Sequence, residues 1–94
     1  MSSYRTFAIG NVMSEDIHPA QLRAARALVG WTRDELATAA GTTSRTLARL
    51  EAGETEARSS TARAIRAALE SAGVVFVEPN GLGPGVRLRE RGEG

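Results

Sequence analysis

Between Pro19 and Gly73 apolar residues recur at intervals of three and four; beyond Gly73 they alternate or run together. The first spacing is that of a helix with one buried stripe and the second that of strands. Pro19 suits the first position of a helix running to about Val29, with Leu22, Ala25, Leu28 and Val29 inward, Gly30 as its stop and Trp31 capping the core just beyond. His18 reads as a weak cap or an exposed residue. Thr32 and Glu35 have capping-box spacing, and Leu36, Ala39 and Ala40 continue that helix to Gly41. Thr43 then caps a third helix, with Leu47 and Leu50 on one side and Ser44, Arg45, Ala48, Arg49 and Ala52 on the other, ended by Gly53. Ser59 or Ser60 opens a fourth, running to Ala72 with Ala62, Ile65 and Leu69 inward and Arg63 and Arg66 solvated.

After Gly73, VVFVE (74–78) and VRLRE (86–90) flank PNGLGPG, a stretch dense in turn formers. This predicts a β-hairpin with Val86 and Leu88 on one face and Arg87 and Arg89 on the other. The expected fold class is therefore mainly α: four helices followed by a C-terminal β-hairpin. Residues 18–73 form the helical domain and 74–94 the hairpin with a frayed tail. Residues 1–17 stand outside the helical pattern. Tyr4–Ile9 has strand-like content, and an edge strand, an arm or a disordered terminus all remain open; the segment is expected to be dispensable for the main activity.

An isolated two-stranded hairpin is marginal in water. It must pack on the helices or pair with another copy, and its edge is a template for pairing. The expectation is a homodimer joined at least partly through this segment, with Val74, Phe76, Val86 and Leu88 at the interface. The alternative is a hairpin folded on its own subunit.

Composition narrows the chemistry. With 94 residues the core is modest, which also favours a second subunit. There is no cysteine and one histidine, so disulfides, thiolate catalysis, His/Cys metal sites and a Ser-His-Asp triad all lack parts. No enzyme, no metal and no cofactor is expected, and no ligand pocket is readable. No apolar run is long enough for a membrane span and no signal-like start is present, so the expected location is cytoplasmic, away from membranes. All twelve basic residues are arginine, and the formal net charge is only +1. Residues 18–73 hold eight arginines against six acidic residues. Binding to a polyanion must come from local arrangement, not from a general basic sheath.

One such arrangement exists. Arg45 and Arg49 are four residues apart, so they stand one above the other on a helix. Ser44, Ala48 and Ala52 around them are small and permit close approach. A helix of this kind fits the major groove of B-DNA, where arginine forms a bidentate pair with guanine. The other reading is a solvated arginine face on an ordinary bundle.

The segment GTTSRTLARLEAG resembles the turn and recognition helix of phage-repressor-like (Cro/CI-type, Xre-family) helix-turn-helix domains, and LVGWTRDELATAA is similar to the segment that precedes it there. The likeness runs from about Gln21 to Gly73. Arg33 stands where glutamine is usual, Trp31 where an aliphatic is usual and Ala52 where asparagine is common. The NGLGPGVRLR tail also resembles small repressor-like proteins in which a hairpin replaces the usual fifth helix. The resemblance implies a sequence-specific, double-stranded-DNA-binding transcriptional regulator, a repressor acting as a homodimer on a near-palindromic operator. Ser44, Arg45 and Arg49 would contact bases, and Arg33, Thr43 and Arg58 the DNA backbone. It also implies a structural ion pair between Arg26 and Glu51. Arg23 reads as a solvated residue, with a phosphate contact as the alternative. Two other outcomes stay open: an antitoxin-type repressor that also binds a protein toxin, and a protein-interaction module without DNA binding, favoured by Glu54 and Glu56 in the loop after Gly53.

Overall fold

A computed structural model describes residues 17–77, 81 and 83–90. Four helices are followed by an antiparallel hairpin: α1 (Pro19–Val29), α2 (Arg33–Ala40), α3 (Ser44–Glu51), α4 (Ser59–Ser71), β1 (Val74–Val77) and β2 (Gly85–Leu88). The chain is mainly helical, as its periodicity predicts. The leader 1–16, the loop residues 78–80 and 82 and the tail 91–94 lie outside the described residues, and so do the expectations placed on them.

Local chemistry fixes the helix ends. α1, α2 and α3 close alike: the N–H of the residue after the terminal glycine bonds back five residues (Trp31 to Arg26, Thr42 to Ala37, Glu54 to Arg49) at 2.9–3.1 Å. This wrapping requires a left-handed residue at the reversal, supplied by Gly30, Gly41 and Gly53 with φ of 71–75°. At the start of α1, His18 is a full capping residue. Its Nδ1 accepts from Ala20 N–H, and Gln21 Oε1 accepts from His18 N–H at 2.9 Å. The residue preceding α4 is Arg58, not a serine, and it caps with no side-chain bond. Ser59 and Ser60 are both inside the helix, so α4 begins one residue earlier than a hydroxyl cap would allow.

The core forms where the inward stripes meet. Leu36, Leu47, Ile65, Leu69 and Val74 are fully buried, with Leu22, Ala25, Leu50 and Phe76 around them and Trp31 and Val86 packed at the margin. Each large apolar side chain removed from water contributes roughly 1.5–3 kcal/mol. On α2 the buried pair is Leu36 and Ala37, whereas Ala39 is exposed. The seven-residue spacing between Leu22 and Val29 leaves Leu28 between the two faces, and it is exposed.

The hairpin lies on its own helices. Val74 pairs with Leu88 and Phe76 with Val86 across the strands, placing these four on one face. That face contacts α1 and α4. Gln21, almost wholly buried, donates from Nε2 to the Gly85 carbonyl at 3.0 Å, and Arg89 N–H donates to Gly73 O at 2.6 Å. Val74 and Phe76 therefore belong to the intramolecular core, which corrects their assignment to a subunit interface: a side chain already desolvated has no area left to bury against a second copy. Val86 is half-buried; Leu88 is 50% exposed. Arg66 is also not solvated. It lies 4.9 Å from the Phe76 ring centroid and bonds Glu70 at 3.0 Å.

Candidate nucleic-acid interface

Thr32 begins the unit. Its hydroxyl accepts from Glu35 N–H at 3.1 Å, and Glu35 Oε1 accepts from Thr32 N–H at 2.8 Å, closing a capping box at the start of α2. After the Gly41 turn, Thr43 Oγ1 accepts from Thr46 N–H at 3.1 Å and starts α3. Leu47 and Leu50 hold α3 to the core, and Arg45, Arg49 and Ala52 are turned to solvent with Ser44 and Ala48 half-buried beside them.

The far end of α3 is fixed by charge. Glu51, 2% exposed, receives Arg26 Nε at 2.7 Å and Arg26 Nη2 at 3.2 Å on its two carboxylate oxygens. Arg26 Nη1 donates to the Trp31 carbonyl at 2.9 Å. Arg33 Nε bonds the same carboxylate at 3.0 Å, and Arg23 donates to the Glu51 backbone carbonyl. One glutamate thus joins α1, the start of α2 and the end of α3. Burial alone pushes the Glu51 carboxyl up, but the bonds from Arg26 and then Arg33 outweigh it and hold the carboxyl below its ordinary value. The same bond raises Arg26.

The candidate residues divide into two sets. Arg33, Ser44 and Arg45 line one open cleft between α2 and α3, together with Arg26, Thr32, Asp34 and Ala48. Thr43, Arg49 and Arg58 do not line it. Arg49 stands one turn beyond Arg45 and forms a loose, exposed pair with Glu54 at 3.8 Å, of the kind that contributes about 0–1 kcal/mol. Thr43 uses its hydroxyl on Thr46. Arg58 is exposed at the head of α4. Arg33 is drawn partly inward by Glu51, yet remains 50% exposed.

Two participants escape the sequence pattern. Arg23 lies three residues before Arg26 on the same helical side, and that spacing is the signal that it shares the Glu51 anchor. Asp34 is the other. The capping box is complete without it; its carboxylate lies in the first turn of α2, where negative charge is favourable, and it accepts a hydrogen bond from the Ser44 hydroxyl. Elsewhere, where no pocket is expected from the sequence, an apolar hollow of about 420 Å³ lies between α1, the α3–α4 loop and the hairpin, walled by Leu22, Leu50, Ile65 and Phe76.

The geometry is that of two capped helices joined by a tight turn, the second presenting arginines on its outer face. No curated protein matches the chain significantly. The helix-turn-helix family profile matches residues 22–72, more than half of the chain, and spans α2, the turn and α3 together with their supporting helices. The chain belongs to the helix-turn-helix family of DNA-binding regulators.

Proposed function

We propose that the protein is a transcriptional repressor that binds a near-palindromic operator as a homodimer, each α3 entering one major groove. The observation that carries this reading is the outer face of α3. Arg45 is exposed and has no side-chain partner among the described residues, and Arg49 has only a loose exposed one. Both guanidinium groups are available for guanine O6 and N7 on a helix whose other side is locked into the core. Arg33, held through Nε, keeps its terminal nitrogens for a phosphate, and the N–H groups at the start of α2 add to that contact. Thr43 and Arg58 are secondary phosphate contacts.

For the dimer, the burial of Val74 and Phe76 shifts attention to what stays outside. Among the described residues the exposed large apolar side chains are Leu28 on α1 and Leu88 on β2, two elements in contact with each other. Among the described residues the β2 strand also pairs only with β1, and an edge unpaired there, together with apolar neighbours, suits a two-fold contact. Half-sites would lie about one helical turn apart.

Selection from a randomised duplex library by the full chain, followed by anisotropy titration of the enriched and a scrambled duplex at two salt concentrations, tests the reading. A two-fold-symmetric enriched sequence, bound less tightly by Arg45→Ala and Arg49→Ala variants that remain folded, is expected. Enrichment of no sequence by the folded protein would refute it.

A further inference from the structure

The cleft between α2 and α3 contains one carboxylate among its cations. Asp34 is exposed, is not required by the capping box, and is joined to Ser44, the first residue of α3. Arg33, Arg45 and Arg26 line the same cleft. A surface adapted only to phosphate would gain nothing from a negative charge there, since like charges repel.

The geometry points to Asp34 as a specificity-determining residue of the DNA interface, one that with Ser44 selects a base carrying a major-groove amino group. This rests on the DNA-binding reading given above. An ionised carboxylate only accepts hydrogen bonds. Ser44 has a single hydroxyl hydrogen and donates it to Asp34, so its oxygen also retains acceptor capacity alone. Two acceptors side by side match the N4 amino group of cytosine or the N6 amino group of adenine. They oppose guanine and thymine, whose major-groove edges present acceptors. Arg45, the next residue along α3, has the converse chemistry and matches guanine. The start of the helix therefore carries an acceptor pair beside a donor, a pattern that reads two neighbouring positions in opposite senses. The same negative charge weakens sequence-independent attraction to the phosphates, which lowers non-specific binding and widens the ratio between correct and incorrect sites.

The test compares full-length wild type, Asp34→Asn and Ser44→Ala in library selection and in titration against a scrambled duplex, with circular dichroism to verify folding. Wild type is expected to favour cytosine or adenine at one position next to a guanine. In Asp34→Asn that single preference broadens, the guanine preference stays, and affinity for scrambled DNA rises about tenfold near 0.1 M salt, the effect of one net charge. Ser44→Ala should weaken the same position while leaving scrambled-DNA affinity low. A selective wild type whose Asp34→Asn variant shows unchanged preferences and unchanged scrambled-DNA affinity would overturn this inference alone. A wild type that selects no sequence would overturn the DNA-binding reading and this inference with it.

Discussion

The α2–α3 unit and the hairpin both bury apolar side chains in one core, but their orientation is set by different means. The former is fixed at its ends by hydrogen bonds: a capping box at Thr32, a hydroxyl cap at Thr43, and three arginines gathered on Glu51. Its outer face stays polar, and Arg45 and Arg49 stay in solvent. The hairpin is fixed by burial, through Val74 and Phe76, and tied by the bond from Gln21 to Gly85. The difference separates roles. Where charge and caps set the geometry, exposed side chains can be spent on a partner without loss of core. Where burial sets it, the side chains that hold the element are consumed, and only its margin and edge remain to meet another molecule.

This contrast can be broken most directly at Phe76. Phe76→Ala should destabilise the protein by about 3–5 kcal/mol in urea unfolding. If the hairpin served chiefly as an intersubunit zipper, the same substitution would instead lower the association constant and leave the unfolding midpoint of the monomer in place.

Glu51→Ala tests the charge-held half. It strands Arg26 and Arg33 and is expected to cost about 3 kcal/mol in the same assay, at the low end for a buried pair because Arg26 is 22% exposed. Glu51 also gives a pH signature. Its carboxyl is depressed in the folded protein, so its stabilising contribution is complete above the ordinary carboxylate range and is lost as pH falls through the lower folded value. Thermal unfolding from pH 7 to pH 3 should show a decline in Tm at the acid end that is smaller in Glu51→Gln. An equal decline in both would remove Glu51 from the explanation.

Smaller effects sharpen the division between holding and binding. Arg45→Ala should reduce operator affinity by about 1–3 kcal/mol and relax one base position, with an unfolding midpoint like that of wild type. A comparable loss of stability would place Arg45 in the fold and not at the interface. Leu88→Glu is expected to change monomer stability by no more than about 0.5 kcal/mol, since the side chain is half exposed, while shifting sedimentation equilibrium toward monomer. A dimer that survives this substitution would move the subunit contact elsewhere.

The sequence by itself determined the elements and most of their ends, the start of α4 at Arg58 excepted. Pro19, Thr32 with Glu35, Gly41, Thr43 and Gly53 each act within a few residues of where they stand, so their effect is readable without knowing what is packed nearby. The inward stripe of α3 was readable too, because Leu47 and Leu50 have one side of a helix to themselves. Only the tertiary structure decided which surface the hairpin covers. Its apolar face fits its own helices or a second copy equally well as a pattern, and the choice depends on the shape of the groove between α1 and α4 and on Gln21 reaching residue 85. The same holds for Arg23, Arg33 and Arg66, whose neighbours along the chain do not distinguish them from solvated arginines, and for Asp34 and Ser44, ten residues apart along the chain. The partners of Arg23, Arg33 and Asp34 lie on α3, and the ring that Arg66 covers lies on β1. Charge and hydrogen bonding depend on distance in space, and distances between helices become defined only when the core between them has formed.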